Sequence, residues 1–190
     1  EMTLGEYLVG VVRAEMPASF EPEALKAQAV CARSYAFRQM TSYGYPEYEA
    51  HVNDSTDFQV YNNSQRQESS TRAVAETEGQ VVRYKGEIAT TYYYSTSCGK
   101  TTSLEAWGTD PGGGGGYLQS VEVCGEQGDY EKDLPWYRWT AQVPVQTLSA
   151  LVSANTGVQV GTLSSVEVTK RGPGDVALQI VATGDAGSVT

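Results

Sequence analysis

The sequence predicts an α+β fold in which helices come first along the chain and antiparallel strands follow. Apolar residues recur at helical spacing in two segments between Thr3 and Met40, whereas beyond residue 80 they alternate with polar residues in short segments. Turn sequences such as Lys85-Gly86 and Arg171-Gly172-Pro173-Gly174 stand between neighbouring alternating segments, as in β-hairpins. Helices in one part of the chain and strands in another are typical of the α+β class.

The composition is that of a globular protein without a basic surface. The chain has 190 residues, a net charge of −10 and an isoelectric point near 4.5. No cluster of Lys and Arg is present, so neither nucleic acid nor an anionic membrane surface is an expected partner. No apolar run has the length of a membrane span and no signal peptide is found, so we expect a membrane to be reached only through a segment absent from this chain.

The first helix is predicted to begin at Thr3 and to end before Pro17. Thr3 followed by Glu6 is a capping-box pattern, and the residue before a proline is pushed out of the helical region. One stripe of this helix contains Leu4, Leu8, Val11, Val12 and Glu15. A carboxyl group on an apolar stripe either pairs with a cation or is held protonated and acts as an acid. The lone-residue alternative is a salt-bridged structural glutamate.

A second helix is predicted from Pro22, which suits a first helical position, to the turn at Ser42–Pro46. Its packing stripe contains Leu25, Ala29, Ala32, Ala36 and Met40, with Arg33 at the edge. Residues 51–63 are polar and predict a loop. A third helix is predicted over Ser64–Thr77, with Gly79 as its stop.

The remaining segments predict strands and one short helix. The predicted strands are Gln80–Tyr84, Ile88–Tyr94, Tyr117–Val123, Trp139–Val143, Leu163–Lys170 and Val176–Thr183. Val145–Ser153 is predicted to be helical, and the glycine-rich segment Pro111–Gly116 cannot be core. We expect one domain over residues 1–190. It can be divided into two lobes: residues 1–110, mainly helical with a hairpin, and residues 117–190, mainly strands.

The three cysteines allow two interpretations. Cys31 falls in the alanine-rich helix and is most simply a buried apolar residue. Cys98 and Cys124 fall in turn-rich segments and are able to pair, which fits an oxidising compartment. Three cysteines are weak evidence for or against such a compartment.

Several blocks of the sequence resemble the stage II sporulation protein D (SpoIID/LytB) family. The two longest blocks are Gly10–Phe20, which contains Glu15-Met16-Pro17, and Glu23–Tyr35. The later blocks are Asp54–Tyr61, Tyr94–Thr101, Glu105–Gly108 and Tyr117–Val121. The blocks keep the order that the family has and cover most of residues 1–125.

The resemblance implies a protein that acts on peptidoglycan. Sporulation members of the family are lytic transglycosylases that cleave the MurNAc–GlcNAc bond of glycan strands stripped of stem peptides. The glutamate of the family's Glu-Met-Pro signature is the catalytic acid, and it corresponds to Glu15. Glycoside hydrolysis normally needs two carboxyl groups. A lytic transglycosylase needs one, which protonates the bridging oxygen and then deprotonates the muramic acid 6-hydroxyl, so a 1,6-anhydro ring closes. Such an acid is expected in an apolar environment.

The resemblance also implies a set of substrate-binding residues. These are Gln28, Arg33, Gln59, Tyr61, Tyr94, Ser95 and Ser97. Arg33 resembles a family active-site position, with an ordinary helix-surface arginine as the alternative. The alternative for the polar residues from Gln59 onward is a polar strand edge.

No metal and no other cofactor is expected. Some family members bind zinc through Cys and His near the Gln-Val-Tyr block, but here Asp57-Phe58 precede Gln59 and His51 is the only histidine. Cys98 stands where the family more usually has glycine or a polar residue. With Cys124, it suggests a disulfide peculiar to this member.

The expected partners are peptidoglycan glycan strands, and the expected location is secreted or at the cell envelope. A different class of function is a non-catalytic glycan-binding modifier of a cell-wall amidase, which is a role also found in the family. A cysteine hydrolase that uses Cys31 or Cys98 with His51 is a poor alternative. The only histidine of the chain would have to be the catalytic base, and the sequence shows no spacing typical of a catalytic triad. If the protein were a hydrolase, a second carboxylate would be sought first at Asp54, Asp57 and Glu105.

Overall fold

The structure is a computed structural model that describes residues 2–63, 65–108 and 116–190. The chain forms two compact units, Glu1–Tyr93 and Tyr94–Thr190, whereas the sequence predicted lobes of 1–110 and 117–190. Helices and antiparallel strands are both present, so the predicted α+β class is confirmed. Most of the predicted glycine-rich segment, residues 111–115, lies outside the described residues.

Helix α1, Leu4–Glu15, has the predicted boundaries because both of its ends are fixed by local chemistry. The Thr3 hydroxyl accepts a hydrogen bond from the Glu6 N–H at 3.2 Å, and the Glu6 carboxylate accepts one from the Thr3 N–H at 3.0 Å. This is the reciprocal pair of a capping box. Met16 is extended, as expected for the residue before Pro17.

The core of the first unit is formed by α1 together with α2, Pro22–Gln39, and α3, Glu68–Glu76, which pack against one another. Leu8, Val11 and Val12 are fully buried, so the predicted stripe of α1 is confirmed. The other members of the core are Val9, Leu25, Ala29, Ala32, Ala73 and Val74. Each large aliphatic side chain buried here contributes about 1.5–3 kcal/mol relative to exposure. The small alanines of α2 permit close approach of the neighbouring helices.

Helix α3 is shorter than predicted. It begins at Glu68, after an extended Gln67, and not at the predicted Ser64. Residues 65–67 are Gln, Arg and Gln, so they have no apolar side chain to bury. A helical turn that buries nothing has little to offset its conformational entropy, since most helix stability in proteins comes from packing.

The first unit also contains the predicted hairpin. Strands β1, Arg83–Tyr84, and β2, Glu87–Ile88, pair in antiparallel register through Tyr84 and Glu87. Lys85 and Gly86 have φ angles of 48° and 90°, which are the left-handed values of a type I′ turn. The turn is confirmed, but the ladder is much shorter than the predicted strands.

The second unit is built on a three-stranded antiparallel sheet. Its strands, in spatial order, are β5, Leu163–Arg171, β6, Ala177–Gly184, and β7, Gly187–Val189. Helix α4, Val145–Thr156, packs on β5. The predicted helix and the hairpin of β5 and β6 are confirmed. The core contains Val160, Leu163 and Ala182, with Leu148, Val152 and Val189 packed against it. Strand β7 was not predicted, because its three residues are too short to show alternation.

Two predicted strands of the second unit are wrong. Tyr117–Val123 makes only an isolated antiparallel bridge, between Lys100 and Glu122, and Trp139–Val143 pairs with no described strand. The Trp139 side chain is 68% exposed. Alternation of apolar and polar residues predicts which face of a strand is apolar, but it does not show which strand will pair with it. In this unit no sheet covers the tryptophan. Among the described residues between Glu122 and α4, one ladder is formed. It joins β3, Cys124–Gly125, to β4, Gly128–Asp129.

No helix in the described ranges is both long and apolar enough to cross a membrane.

The close contact between α1 and Tyr61 gives a test of the packing in the first unit. A methyl group added at Gly10 would overlap the Tyr61 ring, whereas one added at Gly5, on the same helix, meets nothing within 4 Å. We expect Gly10→Ala to lower the free energy of unfolding by about 1–3 kcal/mol through overpacking. Gly5→Ala should raise it by up to about 1 kcal/mol through helix propensity. Urea denaturation followed by circular dichroism measures both, and equal effects would contradict this packing.

Candidate functional site

Glu15 is the last residue of α1, and its carboxylate is partly buried and anchored at one oxygen. The Val60 N–H donates a hydrogen bond to Glu15 Oε1 over 2.8 Å. No Lys or Arg in the described ranges forms an ion pair with this carboxylate. The salt bridge of the alternative interpretation is therefore not formed among the described residues, and a backbone N–H is the partner that the carboxylate has instead.

A hydrogen-bonded chain of two tyrosines and one glutamine lies beside Glu15. The Tyr7 hydroxyl donates to Gln59 Oε1 over 3.3 Å, and Gln59 Nε2 donates to the Tyr93 hydroxyl over 2.8 Å and to the Ala32 carbonyl over 3.2 Å. Burial raises the pKa of Tyr7 to about 12, and the neighbouring Tyr35 and the charge of Glu15 add to the effect. Burial also raises the pKa of Tyr93, to which the charge of Glu15 contributes. Both phenols therefore stay protonated at any pH near neutrality.

Sequence reasoning missed Tyr7 and Tyr93. The alternation of side chains along an extended segment was a signal for Tyr93, because it places residues 91 and 93 on the same face. The Thr91 hydroxyl donates to the Cys31 carbonyl over 2.7 Å, and Tyr93 contacts Gln59, so alternate residues of this segment face α2 and its surroundings. No comparable signal marked Tyr7.

Arg33 is a buried tie between α2 and the end of α3. Its side chain is 6% exposed, and its guanidinium donates to the carbonyls of Val74 and Gln80, each over 3.0 Å, and to the Thr77 hydroxyl over 3.4 Å. Burial lowers the pKa of Arg33. The structure supports neither a substrate contact nor an ordinary surface arginine, because the side chain is buried and its guanidinium donates to acceptors of the protein itself.

The two glutamines predicted to bind sugar are also buried. Gln59 is 2% exposed, and both ends of its amide are occupied by protein groups. Gln28 is 8% exposed, and its Nε2 has no hydrogen-bond partner among the described residues. The expectation that Gln28 and Gln59 contact the sugar directly is therefore corrected. The sequence shows that these side chains are polar, but only the tertiary structure shows that packing buries them.

Tyr61 remains in a position to meet a ligand. Its ring stacks on Tyr7, with centroids 5.8 Å apart and planes at 5°, and it is partly exposed. It lines a cavity of about 230 Å³ in the first unit. The other lining residues are Met2, Glu6, Val9, Gly10, Arg13, Asn62, Asn63 and Arg66. A tyrosine face beside asparagine amides and guanidinium groups suits a polar ligand with a ring.

The later predicted residues, Tyr94, Ser95 and Ser97, belong to the second unit. Tyr94 and Ser95 are exposed, and burial of part of the ring, with Glu131 nearby, raises the pKa of Tyr94. The Ser97 N–H and hydroxyl both donate to the Glu131 carboxylate. Tyr94 and Ser97 line a cavity of about 960 Å³ within that unit. The Val60 N–H thus joins Glu15 to the loop that carries Gln59 and Tyr61, while the Tyr61 ring lines a cavity whose lining does not include Glu15. Tyr94 and Ser97 share the other cavity.

The thiols of Cys98 and Cys124 are free and exposed in this structure, so the expected disulfide is not formed in it. Both residues nevertheless lie beside one antiparallel bridge. The Val123 N–H donates to the Gly99 carbonyl over 2.9 Å next to the bridge between Lys100 and Glu122, although Cys98 itself lies in a turn, with a φ angle of 61°. The two residues also line the same cavity.

The described residues contain no group of three or more His, Cys, Asp or Glu able to hold a metal ion. The His51 ring packs on Tyr43, with centroids 4.6 Å apart, and no described contact joins it to the partly buried thiol of Cys31. Burial raises the pKa of that thiol, which disfavours the reactive thiolate.

The position of Cys98 and Cys124 gives a prediction for the thiols. We expect oxidised glutathione to join Cys98 to Cys124 by exchange, since both residues are exposed, line the same cavity and lie beside one antiparallel bridge. Non-reducing peptide mapping should recover this bond and leave Cys31 reduced. The bond should stabilise the protein by about 3 kcal/mol relative to the Cys98→Ser variant under the same conditions. Recovery of three free thiols after oxidation would contradict the prediction.

The burial of Arg33 gives a second prediction. Arg33→Met removes the guanidinium donor from the buried carbonyl of Val74, which keeps only a long contact to the Thr77 hydroxyl at 3.4 Å, and from the carbonyl of Gln80, so it should lower the free energy of unfolding by about 2–4 kcal/mol. Arg72→Met, on the exposed face of α3, removes only a weak ion pair to Glu76 at 3.8 Å and should change stability little. If both variants unfold like the parent protein in a thermal melt while Arg33→Met alone loses glycan affinity, Arg33 is a ligand contact after all.

Comparison with known proteins places these residues in a family context. Residues 1–84 match the family model SpoIID, described as stage II sporulation protein. Stage II sporulation protein D of Bacillus amyloliquefaciens is 33% identical over 198 residues, which cover 95% of this chain and 54% of that protein. Stage II sporulation protein D of Bacillus subtilis strain 168 is 36% identical over 153 residues, which cover 72% of this chain and 42% of that protein.

A third relative has a different name. The amidase enhancer of Bacillus subtilis strain 168 is 41% identical over 101 residues, which cover 53% of this chain and 13% of that protein. This chain spans about half the length of the stage II sporulation proteins D that it matches.

Proposed function

Because the chain belongs to the SpoIID family, we propose that it is a peptidoglycan lytic transglycosylase. The proposed reaction cleaves the MurNAc–GlcNAc bond of glycan strands stripped of stem peptides and leaves a 1,6-anhydroMurNAc end. The observation that carries the proposal is the state of Glu15: partly accessible, unpaired with any described cation and held at one oxygen by the Val60 N–H. We place the reaction at the cell envelope, outside the cytoplasm.

One carboxyl group is enough for this chemistry. Glu15 gives its proton to the bridging oxygen as the bond from that oxygen to C1 of MurNAc breaks, and the GlcNAc hydroxyl leaves. The carboxylate then takes the proton of the C6 hydroxyl while O6 forms a bond to C1. The acid is regenerated and no water is consumed, so no second carboxylate is needed to activate one. The anchored Oε1 leaves Oε2 as the oxygen that carries the proton.

The surroundings of Tyr61 support a glycan as the ligand. Aromatic faces pack on the apolar faces of sugar rings, and the stack of Tyr61 on Tyr7 holds one such face rigidly. Removal of a stem peptide leaves a free lactyl carboxylate on MurNAc. Arg66 lines the same cavity and suits that anion, although Glu6 competes for it at 3.9 Å.

The second candidate function is a glycan-binding modifier of a cell-wall amidase. It is favoured by the 41% identity to a protein named amidase enhancer. This function needs glycan binding but no acid, so it does not require the unpaired Glu15. The two candidates differ in whether the protein alone turns over peptide-free glycan.

We expect Glu15→Gln to lower turnover of stem-peptide-free glycan strands by about 10²–10⁴-fold. The amide keeps the size of the carboxyl but cannot transfer a proton, and general acid–base catalysis contributes a factor of this order. Glycan affinity and the thermal midpoint should change little. Glu21→Gln is the matched control, because Glu21 is exposed and its side chain makes no cap. Mass spectrometry of the parent protein's products should show 1,6-anhydromuramic acid ends.

Three other results would overturn this mechanism. Reducing ends, heavier by one water, would indicate a hydrolase, and Asp54, Asp57 and Glu105 would then be tested as the second carboxylate. Full turnover by Glu15→Gln would make Glu15 structural. No turnover by the parent protein, together with faster release of stem peptides by an added cell-wall amidase, would establish the modifier function instead.

A further inference from the structure

We propose that Gln59 is a positioning residue for Glu15. The buried side chain of Gln59 holds the peptide between residues 59 and 60, so that the Val60 N–H fixes one oxygen of the Glu15 carboxylate. This inference rests on the proposed function of Glu15 as an acid. It assigns Gln59 a role that differs from the sugar contact expected from the sequence. The supporting observations are the occupancy of the Gln59 amide, its orientation and its place in the chain.

The Gln59 amide is fully occupied within the protein. Its oxygen accepts from Tyr7, and its nitrogen donates to Tyr93 and to the carbonyl of Ala32. With 2% of the residue exposed, no part of the amide is available to a sugar. The residue therefore acts on the protein and not on a ligand.

The orientation of the amide follows from the Ala32 carbonyl. A carbonyl oxygen only accepts, so the NH₂ group of Gln59 must face it. The oxygen of the amide then faces Tyr7, whose phenol stays protonated and donates. The Tyr93 oxygen accepts from the remaining N–H, so its own hydrogen is left for another acceptor. One arrangement satisfies all three contacts.

The place of Gln59 in the chain connects this amide to the acid. Val60 is the next residue, and its N–H donates to Glu15. Residues 59–63 belong to no helix or strand, and a backbone hydrogen bond from the Tyr61 N–H to the Asp54 carbonyl, at 3.2 Å, holds the chain beside this peptide. The side chain of Gln59 provides the fixed points: Tyr7 on α1, Ala32 on α2 and Tyr93 at the end of the first unit. Because α1 carries both Tyr7 and Glu15, the same helix holds the acid and one anchor of the loop that meets it.

Fixing one oxygen of a carboxyl has a chemical consequence. It restricts the rotation of the group, so the second oxygen points in one direction with its proton. Positioned acids gain from such restriction, since small misplacements of a reacting group lower rates strongly. The Val60 N–H also stabilises the ionised form that takes the 6-hydroxyl proton in the second half of the reaction.

The first test measures the Val60 amide itself and does not depend on activity. Gln59→Met fills the same space without any hydrogen bond, and Tyr93→Phe removes only one contact in case the first variant does not fold. We expect amide hydrogen exchange at Val60, measured by NMR, to accelerate at least about tenfold in Gln59→Met and less in Tyr93→Phe. Ser34→Ala is the matched control. It removes the hydroxyl of a buried serine on another side of α2, which accepts from the Val82 N–H over 2.9 Å and donates to the Val30 carbonyl over 2.7 Å.

The second test measures the pH profile of glycan turnover. Loss of an N–H donor from a carboxylate makes the carboxyl keep its proton to higher pH. The basic limb of the profile should therefore move up by about 1 pH unit in Gln59→Met, with kcat lowered and KM nearly unchanged. A purely structural role would lower the rate at every pH without moving the limb, as expected for Ser34→Ala.

The outcomes separate this proposal from the proposed function. Unchanged exchange at Val60 in both Gln59→Met and Tyr93→Phe would overturn the positioning role, whatever the activity. Equal acceleration in Ser34→Ala would also overturn it, because the effect would then be global. Selective acceleration at Val60 in a protein that shows no transglycosylase turnover would uphold the positioning of Glu15 and reject its role as the acid of that reaction.

Discussion

The hydrogen bond from the Val60 N–H to the Glu15 carboxylate joins the end of a regular helix to a loop that has no regular structure, and the candidate site depends on it. The helix is capped at its start by Thr3 and Glu6 and ends before Pro17, while the loop is held by the Gln59 side chain and by a backbone hydrogen bond from the Tyr61 N–H to the Asp54 carbonyl. Glu15 is 45 residues from Val60 along the chain, so the contact exists only because α1, α2 and α3 form one core. Stability of that core and alignment of the acid are thus the same property.

Buried polar side chains do much of this alignment. Arg33 satisfies carbonyls at the end of α3, and Gln59 satisfies groups from α1, α2 and the segment that ends at Tyr93. Each is costly to bury unless its hydrogen bonds are made, and each then fixes the elements that it joins. Residues that a family motif presents as ligand contacts are here parts of the framework around Glu15.

The second unit has a separate set of polar contacts around its own cavity. Ser97 is held by Glu131, and the free thiols of Cys98 and Cys124 line the same wall. Several of these residues lie in the later blocks that resemble the family, so the motif is distributed over both units of the chain. Glu15, Gln59 and the side chains that hydrogen-bond to Gln59 lie in the first unit, which also contains the 84 residues that match the family model.

The sequence by itself determined the features that depend on neighbours along the chain. These are the limits of α1, the apolar stripe that ends at Glu15, the type I′ turn at Lys85-Gly86 and the hairpin of β5 and β6. Capping, proline sterics and turn conformation act within four residues, so a local pattern contains the information. Only the tertiary structure decided that Gln59 is buried, that Tyr7 and Tyr93 hold it and that Trp139 has no partner strand. Burial and pairing depend on which distant segments meet, and periodicity shows that a face is apolar without showing what covers it.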